Sequence, residues 1–239
     1  MDRIYELKHR VRYFQVDQDN RIHLSSLFKL LQEAAINHAT LGNIGTQIME
    51  EGESWILNRV VMKLNRYPRY DEFLNIQTWA TQMKHFKGFR EFRIFADEEL
   101  IGKVSTLWLY IDLNAKAIAR LPSEAVKAFP TRPDEVFFED LDRLRLPKPG
   151  SDAVESTITL RYSDIDGNQH VNNAAYIDFL QTALHHQNLD TRPKNLQIQF
   201  SKEITPKTKN VSTLLELNES SQTFAISDGN QVAAFGQLG

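Results

Sequence analysis

No cysteine occurs anywhere in the 239 residues. Disulfides, thiolate metal sites and a cysteine nucleophile are excluded together, and the chain suits a reducing compartment, so a cytoplasmic location is expected. Long apolar runs are also missing. Charge interrupts every candidate stretch well short of the ~18 residues that suggest a membrane-spanning helix, and no membrane insertion is expected. The opening stretch from Met1 to Phe14 has neither the apolar core nor the small-residue cleavage site of a secretory signal. The sequons Asn210-Val-Ser212 and Asn218-Glu-Ser220 are therefore read as chance. An excess of basic residues is absent as well: the net charge is −3 and the pI about 6.2, which gives nucleic-acid binding no electrostatic footprint. P-loop and dinucleotide glycine fingerprints are lacking. Gly52-Glu-Ser54-Trp-Ile56 lacks the closing glycine of a nucleophile elbow.

The remaining composition, 41% apolar and 25% charged, is that of a globular protein. At roughly 150 residues per domain the length fits one large domain or two small ones. A faint internal repeat decides for two. Sliding the chain by 149 residues aligns Arg12-Tyr13 with Arg161-Tyr162, Val16-Asp17 with Ile165-Asp166, Leu31-Gln32 with Leu180-Gln181 and Ala34 with Ala183. One ungapped offset carries every match.

Each copy opens on a strand-like segment (Lys8 to Val16; Ser156 to Ile165) and passes through a polar turn into an apolar helix. The first helix is expected from about Ser25 to Thr40, with Ser25 or Ser26 as N-cap and Gly42 as stop signal. The second is expected from about Asn173 to His186. Ala174, Ala175, Tyr176, Ile177, Phe179, Leu180, Ala183 and Leu184 make it apolar over most of its surface, which predicts burial. Strands follow at about 56–64, 74–81, 89–95 and 103–113 in the first copy, and at 196–203, 212–218, 223–227 and 231–236 in the second. One buried helix followed by antiparallel strands is an α+β unit, a sheet curled around its helix. The units are expected at 1–120 and 156–239. Between them, residues 121–155 read as a connection holding five of the eight prolines, with a short helix at 123–129.

Candidate chemistry is concentrated in the turn from Asp164 to Asn173. Asp166, Asn168 and His170 recur at every second residue, so an extended turn can point them to one side. The helix start beyond them offers unpaired N–H groups for a developing negative charge. A plain turn and N-cap would account for the Asp, Gly and Asn content equally well. The repeat argues for more: Asp166 faces Asp17, but Asn168 faces Asp19 and His170 faces Arg21. Turn formation is kept in both copies and the Asn-x-His pair stands in one, as in an active half beside a scaffolding half. A calcium loop fails, because in that register Tyr162 and Asn173 would occupy the first and closing ligand positions. His170, His185 and His186 give no convincing metal set, and neither a metal nor another cofactor is expected.

The segment Arg161 to Tyr176, RYSDIDGNQHVNNAAY, resembles the D-x-N-x-H-V-N-N-x-x-Y signature of the acyl-acyl carrier protein (ACP) thioesterases, and the similarity extends along nearly the whole chain. Trp55-Ile-Leu-Asn-Arg59, Tyr67-Pro68, Trp79, Phe89-Arg90, Ser105 to Trp108 and Ile198 to Glu203 carry it further. The resemblance implies two tandem hotdog units, acyl-chain selection in the first and catalysis in the second, and no cofactor. It implies a catalytic set of Asp166, Asn168, His170 and Glu203, with backbone N–H groups of Val171, Asn172 and Asn173 as the oxyanion hole. Taken alone, Glu203 would read as a solvated strand-end charge. The plant enzymes carry a cysteine after this glutamate and here Ile204 stands in its place, so a working site would need an oxygen nucleophile.

Thioester hydrolysis would then use Glu203 with His170 to activate water and Asn168 to position the water or carbonyl. Asp166 would orient both side chains or attack directly. An acyl tunnel would hold its substrate strongly, since ten buried methylenes offer roughly 8 kcal/mol. Leu30, Ile36, Ile48, Met49 and Met62 are candidates for its lining, although plain core packing explains each. The implied partner is an acidic carrier protein, and a homodimer is compatible with the reading. Basic candidates for docking are Lys84 to Arg93 and the group Lys202, Lys207 and Lys209. An acyl-CoA thioesterase with the same site and a non-catalytic acyl-binding module stay open as alternatives; a hotdog dehydratase fits less well, its Asp and His being spaced differently.

Overall fold

The computed structural model describes residues 4–41, 52–217, 221–229 and 231–239. It divides into two compact units: residues 1–22 with 29–143, and residues 23–28 with 144–239. Gly42, Ile48, Met49 and the sequon at Asn218 lie outside the described residues.

In the first unit β1 (Tyr5–Arg10) leads through a 3-10 turn (Tyr13–Gln15) toward helix α1 (Leu24–Leu41). Strands β2 (Glu53–Leu64), β3 (Phe73–Lys84), β4 (Lys87–Ala96) and β5 (Glu99–Asp112) follow, then the short β6 (Ala117–Ile118) and α2 (Ser123–Ala128). The second unit repeats the plan: β7 (Val154–Thr159), a 3-10 turn (Tyr162–Asp164), α3 (Asn173–His186), then β8 (Asn195–Phe200), β9 (Asn210–Leu217), β10 (Gln222–Ser227) and β11 (Val232–Leu238). The strand order is β1–β3–β4–β5–β2 in one and β7–β9–β10–β11–β8 in the other, antiparallel throughout. First, third, fourth, fifth, second: the topology repeats as the sequence does.

Helix α3 covers the bounds read from its periodicity, and all eight of its anticipated apolar positions are buried. It packs over β7, β9 and β10. Helix α1 begins at Leu24, so neither Ser25 nor Ser26 is its N-cap; Ser25 is a buried residue of the first turn. The preceding turn closes at Ile22 and launches the helix at once. At the 149 offset Leu24 corresponds to Asn173, the first residue of α3. The opening strands are shorter than expected, because a 3-10 turn takes over after each. Strand β8 also stops early, at Phe200. Ser201 and Lys202 both donate their N–H to the single carbonyl of Ala233, at 2.7 and 3.2 Å, and the chain turns away.

The sheet of the first unit is covered on both faces. On one, the α1 residue His38 stacks near Tyr5 and Phe129 and accepts a hydrogen bond at Nδ1 from Arg90 Nη1 at 2.9 Å. Arg90 also donates to Thr78 Oγ1 at 3.1 Å; burial pulls its pKa down to about 10, still cationic at neutral pH. On the other face lie residues 131–143, part of the stretch expected to be a connection. Phe137 meets Trp79 edge-on at 5.6 Å, Glu135 O accepts from the Trp79 indole at 3.1 Å, and Leu141 O accepts from Arg59 at 2.7 Å. Along β4 every second residue from Gly88 to Ala96 is buried, and of the alternate positions, which face the strap, Glu91 alone is fully buried.

Beneath this strap the carboxyl of Glu91 accepts hydrogen bonds from Ser105 Oγ and, at 3.4 Å, from Phe137 N–H. Burial outweighs both and pushes its pKa up to about 8. Folded Glu91 therefore keeps a proton that the unfolded chain releases near the ordinary carboxylate value of 4.5. Its protonation supports the fold most fully below that pH, and the support drains away as pH climbs toward 8, at up to about 1.4 kcal/mol per unit. Glu91→Gln should flatten this fall, melting near the parent at pH 5 and above it at pH 8. Equal slopes in thermal scans of the two proteins would refute a neutral Glu91.

Candidate active site

The turn in the second unit is built by one side chain. Asp166 Oδ1 accepts N–H bonds from Asn168 at 2.9 Å and His170 at 3.5 Å. Its own N–H donates to His170 O at 2.9 Å, and its carbonyl accepts from Gln169 N–H at 3.0 Å. An aspartate bonding its own downstream backbone is a common way to close such a loop. Gln169 takes the left-handed conformation (φ 61°), and Ile165 pairs with Val171 across the loop. Upstream, Asp164 is clamped by Arg161, whose Nη2 lies 2.7 Å from its Oδ1. Downstream, Asn172 caps α3 by accepting the Ala174 N–H at 2.8 Å.

The first unit repeats this wiring residue by residue. Asp17 Oδ1 accepts from Asp19 at 2.9 Å and Arg21 at 3.0 Å. Asp17 N–H donates to Arg21 O, Asn20 N–H donates to Asp17 O, Asn20 is left-handed at 58°, and Val16 pairs with Ile22. What differs is the side chains that the two loops display.

In the second loop, His170 Nε2 lies 3.1 Å from Glu203 Oε2. Glu203 sits in the loop after β8, not on the strand where it was expected. Both side chains are partly exposed, 36% and 53%, so the pair is open to substrate and to water. In that setting an ion pair contributes little to stability, and its significance is geometric. Asn168, two residues before His170 on the same turn, is exposed. Asp166, Asn168, His170 and Glu203 thus come from one turn and one loop. In the first unit Arg21 occupies the histidine position.

Two of the three anticipated oxyanion donors are already committed. Val171 N–H donates to Ile204 O at 3.0 Å and Asn172 N–H to Asp164 O at 2.9 Å. These bonds tie the turn to the Glu203 loop and to the 3-10 turn, so neither N–H is free. The Asn173 N–H, at the first position of α3, has no partner among the described residues.

The anticipated tunnel residues do not form one group. Met62 is buried in β2, Leu30 is half-buried on α1, and Ile36 is 52% exposed; Ile48 and Met49 lie outside the described residues. An open cleft of about 480 Å³ in the first unit is lined by His85, Phe86, Ile118, Ala119 and Arg120, and not by Leu30, Ile36 or Met62. No helix among the described residues is long and apolar enough to cross a membrane.

Comparison with known proteins bears on this geometry. A family model for the acyl-ACP thioesterase N-terminal domain matches residues 2–129, and one for the C-terminal domain matches residues 148–232. The chain is 25% identical over 191 residues to a chloroplastic palmitoyl-acyl carrier protein thioesterase of Arabidopsis thaliana, covering 74% of this chain and 46% of that protein. It is 25% identical over 216 residues to a chloroplastic acyl-[acyl-carrier-protein] hydrolase of Cuphea viscosissima, covering 84% and 52%. The chain thus spans about half the length of these curated relatives. An acyl-ACP thioesterase structure from Bacteroides thetaiotaomicron matches with a TM-score of 0.85 at 22% identity, over 99% of this chain and 97% of that one. A 12:0-ACP thioesterase from Umbellularia californica matches at 0.82 and 19% identity, over 100% and 97%. The α+β fold is that of two tandem hotdog units. With the two family models together covering nearly its whole length, the chain belongs to the acyl-ACP thioesterase family.

Proposed function

We propose that this protein hydrolyses the thioester of fatty acyl groups carried on acyl carrier protein, releasing the free acid and ending chain elongation. The observation that carries the reading is the His170–Glu203 pair, 3.1 Å apart, on a turn whose backbone twin in the first unit displays Arg21 instead. A base pair of this kind suits removal of a proton from water as its oxygen attacks the carbonyl carbon. The C–S bond then breaks, and the departing thiolate is a good leaving group that needs little protonation. Glu203 and His170 take the water proton, and the exposed Asn168 amide positions the water or the carbonyl. Asp166, with Oδ1 engaged in the turn, orients Asn168 and His170. The unpartnered Asn173 N–H is the backbone donor suited to the oxyanion.

In this reading residues 156–239 carry catalysis and the first unit selects the acyl chain. Docking of an acidic carrier is better served by the Glu203 loop than by β4. Along the β3–β4 candidate, Arg90 is buried, Lys87 pairs with Asp142 at 2.9 Å, and Arg93 pairs with Glu135. Lys202, Lys207 and Lys209 are exposed, and none is in an ion pair among the described residues. Incubation with matched panels of acyl-ACP and acyl-CoA, followed by identification of the acids released, tests the proposal. Release from acyl-ACP with kcat/KM at least about tenfold above acyl-CoA is expected, a difference of about 1.4 kcal/mol at the transition state. No acid released from any acyl-ACP would refute it, and equal rates would move the assignment to a general acyl thioesterase. Glu203→Gln should lower kcat by about 10²-fold or more; near-normal turnover would remove Glu203 from the scheme.

A further inference from the structure

Tyr176 closes the sequence signature that opens at Asp166, yet the scheme above gives it no part. Its ring is buried on α3, edge-on to Phe200 at 5.5 Å and tilted against Phe179 at 6.2 Å. The hydroxyl reaches out of this apolar packing to the loop after β8. It accepts the Ile204 N–H at 3.1 Å and donates to the Lys202 carbonyl at 3.4 Å. Those two groups stand immediately on either side of Glu203. Burial raises the phenol's pKa, so it stays protonated and able to donate at neutral pH. A third bond, from Val171 N–H to Ile204 O at 3.0 Å, joins the same loop to the turn that bears His170.

The duplication separates this feature from ordinary packing. At the 149 offset Tyr176 corresponds to Leu27, a buried residue of α1 with no hydroxyl to offer. The helix position needs only an apolar side chain, as Leu27 in the first copy of the repeat shows. The hydroxyl is an addition confined to the copy that also has His170.

We propose that Tyr176 is a positioning residue for thioester hydrolysis: its hydroxyl fixes the backbone on both sides of Glu203 and so holds the carboxylate opposite His170. The inference rests on the reading of Glu203 as the partner of His170. Glu203 needs such a fixture because it lies in a loop, half-exposed, beyond the last ladder bond of β8. Misplacement of a reacting group by about 1 Å can cost about 10²-fold in rate.

Tyr176→Phe keeps the ring and its packing and removes the oxygen alone. Its kcat on acyl-ACP should fall by about 10- to 100-fold with KM nearly unchanged. Placed on Glu203→Gln, the same substitution should cost nothing further, since the tether would then hold a side chain that no longer acts. Near-parental kcat in Tyr176→Phe, or its full cost on top of a slow Glu203→Gln, would overturn the tether. A fast Glu203→Gln would instead remove the underlying reading of Glu203. In that event a crystal structure of Tyr176→Phe decides the tether: separation of the His170–Glu203 pair upholds it, and a retained 3.1 Å contact overturns it.

Discussion

His170→Ala should lower kcat for acyl-ACP hydrolysis by about 10²- to 10⁴-fold, the usual contribution of a positioned acid–base group, with little change in thermal stability. The separation of the two effects follows from how the turn is built. The bonds His170 makes within the loop are backbone bonds, its N–H to Asp166 Oδ1 and its carbonyl from Asp166 N–H, and alanine keeps both. The imidazole is partly exposed and meets Glu203, so its removal leaves neither a cavity nor a buried orphan. Arg21→Ala, the same change in the twin turn, should leave kcat as it was. Initial rates and melting curves on the three proteins check this, and a His170→Ala enzyme within tenfold of the parent would end the proposed role.

The two aspartates that close the turns should respond alike in stability and unlike in activity. Asp17→Ala and Asp166→Ala each delete an acceptor for two N–H groups, and each is expected to cost about 1–2 kcal/mol. Only Asp166→Ala should also cost activity, by about 10²-fold or more, because the loop it releases holds Asn168 and His170 in place. Asp166→Asn decides how the residue works. An amide oxygen still accepts both backbone bonds, so an orienting residue survives the change with most of its rate. A carboxylate that attacks the thioester and forms an acyl anhydride would not. With Oδ1 spent on the turn, the asparagine variant is expected to keep more than a tenth of the parental kcat. Denaturant unfolding and single-turnover rates on the three variants would show it, and an inactive but fully folded Asp166→Asn would make the carboxylate the nucleophile.

What could be read in the sequence was what is local. Helix α3 is set by its own apolar periodicity and by Asn172 at its head, both contained in one segment. The turn is likewise local, a single aspartate bonding its own neighbours, and it repeats wherever that spacing repeats. A serine cap places the start of α1 too late, whereas the 149 offset aligns Leu24 with Asn173 and so with the observed start. Glu203 joins His170 from 33 positions along the chain, through the path of β8 and the tyrosine on α3. No spacing announces such a meeting, and resemblance to a family supplied it. The commitment of the Val171 N–H is equally hidden, because its acceptor, the Ile204 carbonyl, lies on another segment, whereas Asn172 bonds back to Asp164 at the head of its own turn. Residues 131–143 belong to the stretch 121–155, whose prolines and charges suggest a connection. The face they cover is the apolar and titratable side of β3 to β5, visible only once those strands are paired.

That strap acts as electrical insulation. Glu91 is neutral because Phe137 and its neighbours keep water from it, and the charge it would otherwise carry at physiological pH is suppressed by chain contributed from 46 residues further on. A fragment ended at residue 120 would strip the cover from Trp79 and wet Glu91, returning it to the status of an ordinary acid. The first unit would then carry a bare indole and an anion in the middle of a sheet built for neither. The compact first unit of the structure includes this cover, running on to Arg143.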